Sequence, residues 1–349
     1  MAETPDILVE RAGALGRIRL NRPKALNSLT FEMVQHIQAA LTRFEDDPAV
    51  GALLITGEGE RGLCAGGDIR ALYDNRDKAL DFGPTFFRTE YRMNAHIAEY
   101  KKPYIALMDG ITMGGGVGVS AHGSVRIVTE RTRMAMPETG IGFFPDVGGT
   151  WLLAHAPGEV GTFMGLTGDG FGGADAIYAG FADHFVPSEK LPAMLDALTT
   201  LPVSATLADI RALVQDFAQN VIPPMTAHRA EIDAAFAHDS VEEIVSALKA
   251  SGSEFAQKTL AVMAQKSPTS MKVTLRLLRL ARADKSLKDA LEREFAAVHT
   301  VLASDEFYEG VRAAVVDKDR NPKWRPATLE EVDAALVDSY FQNSPDKLF

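Results

Sequence analysis

The amino-acid sequence predicts an α/β fold with a C-terminal all-helical region. Up to about residue 200, short apolar runs typical of strands alternate with amphipathic segments typical of helices. This alternation favours a layered architecture in which the strands are buried on both faces. Beyond Leu201-Pro202 the helical pattern continues without strands. The length of 349 residues and the 46% hydrophobic content allow a large core, and we predict two regions, 1–200 and 201–349.

The elements of the first region follow from local signals. A Gly turn joins two strands, Ile7–Arg11 and Leu15–Leu20. Thr30 is predicted to cap a helix that ends before Pro48 and whose apolar residues recur at helical spacing. The remaining predicted elements are, in chain order, strand Ala52–Thr56, helix Pro84–Tyr100, strand Tyr104–Met108, helix Val117–His122, and strands Val125–Thr129 and Ala182–Val186.

The second region carries clear helix starts. Ser240 to Glu243 has the pattern of a capping box, and Ser267-Pro268 places a cap residue and a proline at the start of another helix. Three basic residues of that helix fall on one face: Lys272, Arg276 and Arg279. We favour a solvated basic face over a site for a polyanionic group.

Composition excludes several classes of function. The net charge of −11 and the pI near 5.3 disfavour binding to nucleic acid or to a membrane surface, so a small molecule is the expected partner. The single cysteine, Cys64, excludes an internal disulfide and indicates a reducing compartment. No targeting segment and no membrane-spanning run is evident. We therefore expect a cytoplasmic protein, with a processed organellar protein as the alternative.

Two acids stand out in a run of glycine, proline and apolar residues between Met136 and Gly149. Glu138 and Asp146 lie there, and no Lys or Arg occurs from Met134 to Glu189. An acid in apolar surroundings without a neighbouring cation has a raised pKa, which makes its proton usable near neutral pH. The alternative is that both acids are solvated turn residues, because Pro and Gly flank them. These residues alone leave both interpretations open.

Two glycine-rich turns follow apolar strands at corresponding points, Ala65–Asp68 and Gly114–Gly116. Such turns leave backbone N–H groups without partners, and two of them on adjacent strands would form an oxyanion hole. The alternative is that the glycines only allow close packing. Neither turn matches a phosphate loop or a dinucleotide fingerprint, and the eight histidines show no metal-ligand spacing. We expect no metal.

With these motifs in place, the chain resembles the crotonase (enoyl-CoA hydratase/isomerase) superfamily. Four motifs occur in the family's order and spacing: Leu20–Asn27, Leu63–Ile69, Gly110–Gly116 and Pro137–Thr150. The resemblance implies a spiral of ββα units and an acyl-CoA substrate, with no separate cofactor and a homo-oligomeric assembly. It also implies that Gly67 and Gly115 bind the thioester oxygen. The adenine and ribose end of CoA would be held by Lys24, Ala25, Leu26, Ala65 and Asp68.

One departure from the family pattern changes the expected reaction. Hydratases of this family carry a glutamate where this chain has Gly118, whereas Glu138 matches the family's second glutamate. Asp146 is an acid that ordinary hydratases lack. The segments 86–91 and 316–324, together with the run around Asp146, resemble a hydrolase branch of the superfamily. That branch cleaves short branched 3-hydroxyacyl-CoA thioesters, as in valine breakdown.

The resemblance therefore implies thioester hydrolysis with Glu138 and Asp146 as the catalytic acids. Glu138 would act either as a general base or as a nucleophile. Glu90 is implied as a substrate contact, with an exposed helix acid as the alternative. Competing functions are hydration of an enoyl-CoA, Δ3-Δ2 enoyl-CoA isomerisation, which needs only one base, and a catalytically silent CoA-binding scaffold.

Overall fold

The computed structural model describes residues 5–342 and 347–349, with side chains at all of these except 78–81. Residues 1–4, on which the prediction about a targeting segment partly rests, lie outside the described residues. The strands are β1 Ile7–Ala12, β2 Leu15–Leu20, β3 Ala52–Gly57, β4 Gly62–Cys64, β5 Tyr104–Met108, β6 Ile111–Met113, β7 Val125–Val128, β8 Arg133–Ala135, β9 Phe171–Gly172 and β10 His184–Phe185.

The α-helices alternate with these strands and then continue alone, as the sequence predicts. They are α1 Phe31–Asp46, α2 Ile69–Asp74, α3 Ala79–Ala98, α4 Gly115–Gly118, α5 Gly149–Ala154, α6 Val160–Thr167, α7 Gly173–Tyr178, α8 Leu191–Thr199, α9 Leu207–Phe217, α10 Arg229–Phe236, α11 Val241–Ser251, α12 Glu254–Met263, α13 Pro268–Ala281, α14 Leu287–Ala303, α15 Asp305–Val311 and α16 Ala334–Ser339.

The strands form two sheets in a repeating ββα order, which confirms the predicted spiral. One sheet has the order β1-β2-β3-β5-β7-β10 and the other the order β4-β6-β8-β9. In each of three successive repeats, the first strand (β3, β5 or β7) joins the larger sheet and the second strand (β4, β6 or β8) joins the smaller one. The second strands are followed by α2, by α4 and by the 3₁₀ turn Glu138–Ile141.

Inter-residue contacts divide the chain into two compact units. Unit 1 contains residues 1–67, 92–134 and 171–223, and unit 2 contains residues 68–91, 135–170 and 224–349. The division therefore differs from the predicted boundary at residue 200. Residues 68–91 and 135–170 group with the C-terminal helices because their buried side chains pack there, a partnership that local sequence patterns do not encode.

Unit 1 has its core on the larger sheet. Alternate residues of neighbouring strands, among them Leu54, Ile105 and Ile127, point to one face, where they pack on α8 and α9 through Met194 and Ile210. β3 and β5 are almost entirely buried, as predicted for strands covered on both faces. The N-terminal hairpin is antiparallel, and the pairings from β2 to β10 in this sheet are parallel.

Several predicted helix boundaries are confirmed. Thr30 caps α1 by accepting a hydrogen bond from the N–H of Met33. Ser240 caps α11 through the N–H of Glu243, and Ser267 caps α13 ahead of Pro268. In each case a hydroxyl oxygen satisfies one of the N–H groups that the first helical turn leaves without a partner.

Other predicted boundaries are wrong. The helix predicted over Pro84–Tyr100 is α3, which begins at Ala79 and has Pro84 inside it. The helix predicted over Val117–His122 is only α4, Gly115–Gly118. Past α4, the carbonyl of Val117 accepts both from the N–H of Ser120, at a tighter spacing than in an α-helix, and from the N–H of Ala121, at α-helical spacing. The last predicted strand is reduced to β10.

The basic face of α13 is solvated only in part: the side chain of Arg276 is 42% exposed, whereas those of Lys272 and Arg279 are 18% exposed. Each of the three basic residues also meets an acid within unit 2. The pairs are Lys272 with Glu242, Arg276 with Asp338 and Arg279 with Glu159.

Candidate active site

Three of the four predicted catalytic residues, Gly67, Gly115 and Glu138, lie at equivalent positions in the three ββα repeats. Ala65–Gly67 follows β4, Gly114 and Gly115 follow β6, and Glu138 follows β8. Each position is the point where the second strand of a repeat ends and the chain turns into a helix. The first two turns belong to unit 1 and Glu138 belongs to unit 2, so the two groups are described separately.

In unit 1 the two glycine turns are neighbours. β4 and β6 pair in parallel, and a Cβ placed on Gly66 would lie 3.8 Å from the backbone nitrogen of Gly115. Gly66 and Gly114 have φ values of +112° and +50°, which disfavour any residue with a side chain. The glycines therefore permit both the backbone conformation and the close approach of the two turns.

The N–H groups of Gly67 and Gly115 donate to no acceptor within the described part of the chain. Gly115 is the first residue of α4, where an N–H has no intrahelical partner. Two free N–H groups on adjacent turns are what an oxyanion hole requires. Gly118, which replaces the hydratase glutamate, is buried within α4.

Three of the residues predicted to hold the adenine end of CoA, Lys24, Ala25 and Leu26, lie on another tight turn in unit 1. Lys24 and Ala25 are exposed on a 3₁₀ turn that ends at Leu26, whose φ is +53°. The carbonyl of Leu26 accepts a hydrogen bond of 3.0 Å from the N–H of Ala65. Two of the sequence motifs therefore meet here. Asp68, in unit 2, is half-buried at the N-terminus of α2.

In unit 2 both predicted catalytic acids are buried. Glu138 and Asp146 are each 6% exposed, which rules out the alternative of solvated turn residues. Glu138 opens a 3₁₀ turn that Gly142 closes at φ +72°. Its Oε2 is buried and has no hydrogen-bond partner among the described residues. A buried carboxyl oxygen without a partner is an uncommon feature that suits a group acting on a bound molecule.

Asp146 is held by a tyrosine that the sequence did not single out. The phenol of Tyr91 donates a hydrogen bond of 2.7 Å to Oδ2 of Asp146. Burial raises the pKa of Asp146 to about 7, although the bond from Tyr91 acts in the opposite direction. At this pKa the carboxyl group exchanges a proton near neutral pH.

A third acid lies behind the Asp146 turn. Glu294 is fully buried on α14, where Oε2 accepts from the N–H of Gly148 at 2.8 Å and Oε1 accepts from the N–H of Thr150 at 3.1 Å. The hydroxyl of Thr150 also donates to Oε1. Burial raises the pKa of Glu294 to about 8, and the negative charge of Asp146 adds to the effect.

Glu90 is the fourth buried acid of unit 2 in this region. It is 2% exposed, so the alternative of an exposed helix acid is wrong, and its Oε1 has no partner among the described residues. Burial, with Asp146 as the second cause, raises the pKa of Glu90 well above its usual value, and the same two causes raise that of Glu138. We name Glu90, Glu138, Asp146 and Glu294 the acid cluster.

One cation acts on the acid cluster from a distant part of the sequence. Lys266 lies just before α13, and its charge opposes the rise in the pKa of Glu138. Burial lowers the pKa of Lys266 itself, against the attraction of Asp169 and Glu138. The N–H of the next residue, Ser267, bonds the carbonyl of Thr139 at 3.0 Å, which fixes this segment beside the Glu138 turn. Although the sequence around Glu138 contains no cation, the fold therefore brings the charge of Lys266 close enough to act on it.

Aromatic rings surround the elements that carry the acids. Phe143 stacks on Phe144 at a centroid distance of 4.6 Å and on Phe87 at 5.6 Å. Phe87 meets Tyr91 edge to face, and Tyr91 meets Phe295 in the same way. The rings replace water around the acids, which is the physical source of the raised pKa values.

Sequence reasoning missed Tyr91, Glu294 and Lys266. A signal for Glu294 was present, because it follows Leu291 by three residues and precedes Phe295 and Val298 on the apolar face of α14. An acid on such a face needs donors or a function. For Tyr91 and Lys266 the sequence offers no comparable signal. In the described residues, no group of three or more His, Cys, Asp or Glu side chains is arranged to hold a metal ion.

Comparison with known proteins identifies the family. Residues 15–341 match the enoyl-CoA hydratase/isomerase family, and the chain belongs to it. Curated relatives are named "3-hydroxyisobutyryl-CoA hydrolase, mitochondrial". The protein from Gallus gallus is 44% identical over 97% of this chain and 89% of its own length, and the protein from Homo sapiens is 40% identical over the same two shares. The chain is an enzyme of the acyl-CoA thioester hydrolase class.

Two solved structures share the whole fold but carry other names. One is described as a carnitinyl-CoA dehydratase from Mycobacterium thermoresistibile, with a TM-score of 0.94 and 45% identity over 99% of each chain. The other is described as an enoyl-CoA hydratase from Rhodobacter sphaeroides, with a TM-score of 0.89 and 40% identity over 97% of this chain and 98% of that one.

The expectation of a cytoplasmic protein is wrong, because the curated relatives are named as mitochondrial. That expectation rested on charge, on the single cysteine and on the N-terminal composition. A low cysteine content indicates a reducing compartment without saying which one. No helix in the described residues is both long and apolar enough to cross a bilayer.

Proposed function

We propose that this enzyme hydrolyses 3-hydroxyisobutyryl-CoA to 3-hydroxyisobutyrate and CoA, the step of valine breakdown that the resemblance implies. The proposal rests chiefly on Asp146, a buried second acid whose pKa lies near 7, combined with Gly118 at the position of the hydratase glutamate. The names of the curated relatives support the substrate.

The proposed chemistry begins at the thioester carbonyl. Its oxygen would accept hydrogen bonds from the N–H groups of Gly67 and Gly115 as negative charge develops, and each donor would contribute about 3 kcal/mol. Lys24, Ala25, Leu26, Ala65 and Asp68 are assigned to the adenine and ribose end of CoA. No separate cofactor takes part, since CoA is a portion of the substrate.

Glu138 would supply the attacking group. Either it deprotonates a water molecule that adds to the carbonyl carbon, or its own carboxylate adds and the resulting anhydride is hydrolysed. In both routes the carbon–sulfur bond breaks, and the sulfur leaves as a thiol after it accepts a proton. The unpartnered Oε2 of Glu138 is available for the first contact.

Asp146 would act as the second acid. When ionised it would accept a hydrogen bond from the 3-hydroxyl group or from the water, and when protonated it would supply the proton that the departing thiolate requires. A pKa near 7 allows both states at neutral pH. Glu90, with its unpartnered Oε1, is assigned as a substrate contact.

The competing reactions use the acids differently. Hydration across a double bond uses two glutamates in this family, and one of them is Gly118 here. Isomerisation needs only one base, for which Glu138 suffices, but it gives no role to Asp146. A silent scaffold gives no role to the acid cluster, whose burial opposes folding at neutral pH. We infer a homo-oligomer from the family resemblance, and this assembly stays a prediction.

The deciding experiment compares two substrates. Purified enzyme is mixed with 3-hydroxyisobutyryl-CoA and a thiol reagent, and with crotonyl-CoA while loss of the double bond is followed. We expect thiol release, reduced about 10²- to 10⁴-fold in Glu138→Gln. Glu292→Gln is the control and should keep full activity, because this half-buried carboxylate on α14 bonds the backbone of Leu348 and Phe349 and not the acid cluster. Consumption of crotonyl-CoA without thiol release would contradict the proposal. Unchanged turnover in Glu138→Gln with retained CoA binding would favour the scaffold.

A further inference from the structure

We propose that Glu294 is a positioning residue for Asp146: it holds the turn that carries Asp146 and so keeps the Asp146 carboxyl group in its hydrogen bond with Tyr91. The inference rests on the proposed function for the catalytic meaning of Asp146. The contacts that support it are independent of that function.

The turn after Asp146 is strained without outside support. Val147 and Gly148 have φ values of +52° and +79°, and a β-branched residue such as valine seldom adopts a positive φ. Within the turn, the N–H of Gly149 bonds the carbonyl of Asp146 at 2.6 Å. The N–H groups of Gly148 and Thr150 instead donate hydrogen bonds to the carboxyl group of Glu294.

Glu294 therefore fixes the backbone directly after the catalytic acid. Three donors converge on its two oxygens, and the side chain has no exposure to solvent. A buried carboxyl group is costly unless it is well bonded, so its retention among Leu291, Phe295 and Val298 calls for a role. Holding a strained catalytic turn is such a role.

Asp146 and Glu294 ionise in a fixed order. The groups that face Asp146 are Tyr91 and Glu90 from α3, Glu138 from the neighbouring turn and Glu294 from α14, with Lys266 beside Glu138 as the cation. The pKa of Asp146 is about 7 and that of Glu294 is about 8, so Asp146 ionises first and its charge then raises the pKa of Glu294. Because Glu294 is mostly neutral while Asp146 titrates, Glu294 acts on Asp146 through the turn that it holds and not through charge.

Two substitutions test the support that Glu294 gives to the turn. Glu294→Gln keeps the shape but turns an NH₂ group toward one of the N–H donors. Glu294→Asp keeps a carboxyl group but retracts it by one methylene. We expect kcat to fall at least tenfold in both, with KM within threefold. The pH limb assigned to Asp146 should move by at least half a pH unit to higher pH in both variants, because a displaced turn weakens the bond from Tyr91 that lowers the pKa of Asp146.

A readout without activity completes the test. The ¹³C carboxyl resonance of Asp146, assigned by its loss in Asp146→Asn, is titrated in the wild-type chain, in Glu294→Gln and in the control Glu292→Gln. A midpoint that moves to higher pH in Glu294→Gln but not in Glu292→Gln supports the proposal even if thiol release is absent, in which case the proposed function fails alone. An unchanged midpoint overturns it.

A second variant covers the case in which Glu294→Gln does not fold. Thr150→Val removes only the hydroxyl donor and is close in shape. Loss of one of the three bonds loosens the turn less than loss of Glu294, so the Asp146 midpoint should move to higher pH by a smaller amount. A midpoint that does not move, or that moves to lower pH, overturns the positioning role.

Discussion

Tyr91 and Asp146 are joined by a hydrogen bond of 2.7 Å from the phenol to Oδ2, although 55 residues separate them in the sequence. Both side chains are buried, so water does not compete for the bond. The bond favours the ionised carboxylate and offsets part of the effect of burial on its pKa. Tyr91 lies next to Glu90, so one turn of α3 carries both a member of the acid cluster and the tyrosine that donates to Asp146.

Replacing Tyr91 by phenylalanine should shift the pH dependence of catalysis. The variant removes a donor that lowers the pKa of Asp146, so this pKa rises and the corresponding limb of the kcat/KM profile moves to higher pH. The lost bond should cost about 1 kcal/mol of stability. Tyr104→Phe is the control, because Tyr104 donates an equally short buried bond to the carbonyl of Val119. It should lose similar stability without a shift in the profile, and a shift in both variants would refute the assignment.

Replacing Lys266 by methionine should raise the pKa of Glu138 further. The lysine charge lowers that pKa, so its loss makes the Glu138 carboxylate harder to ionise. If Glu138 acts as proposed, activity at neutral pH should fall about tenfold and recover as pH increases. The measurement is kcat/KM from pH 6 to 9. Lys272→Met is the matched control, since Lys272 pairs with Glu242 and touches no member of the acid cluster. Equal losses in the two variants would exclude a specific effect of Lys266.

Replacing Gly66 by alanine should impair catalysis through the backbone. At φ +112° an alanine is strained, and relief of the strain displaces the N–H of the adjacent Gly67. We expect kcat to fall about 10²-fold with little change in KM, as for loss of one oxyanion donor. Gly252→Ala is the control, because Gly252 also has a positive φ (+62°) but faces open space at the end of α11. That variant should lose stability only, and normal kcat in Gly66→Ala would contradict the oxyanion role.

Thermal stability should decrease as the pH rises from 4.5 to about 7, because Glu306 loses its proton in this window. Burial raises the pKa of Glu306 from 4.5 to about 7, so this acid favours the folded state when protonated. Its stabilising contribution is complete below pH 4.5 and is lost as pH rises to about 7. Glu306→Gln should flatten the dependence of Tm on pH in this window. Glu309→Gln is the control on the same helix, because its ion pair with Arg312 lowers the pKa of Glu309. A flattened curve in the control alone would disprove the assignment.

The parts of the fold that the sequence predicted are those determined over short distances. β3 and β5 are apolar along their length, and Thr30 and Ser267 cap helices within three residues of themselves. The start of α3 was missed because a proline normally ends a helix. The burial of Phe86 and Phe87 just after Pro84 shows tertiary packing that outweighs this local preference.

The candidate site divides in the same way. Gly67, Gly115, Glu138 and Asp146 could be named from motifs, since each lies at a turn whose conformation depends on nearby residues. Tyr91, Lys266 and Glu294 act across long separations in sequence, and no local pattern states which acid they meet. The sequence prediction that no cation acts on Glu138 missed Lys266, because a cation can come from any part of the chain.

The hydrogen bond from Gly148 to Glu294 spans 146 residues, which bears on when the enzyme becomes active during its own synthesis. Glu138 and Asp146 leave the ribosome long before α14, so on the nascent chain their carboxyl groups remain in water with ordinary pKa values. The strands of unit 1 are complete by residue 185 and can assemble first. We expect reactivity toward a thioester to await the last helices, so a chain released early would carry the four family motifs and still be inert.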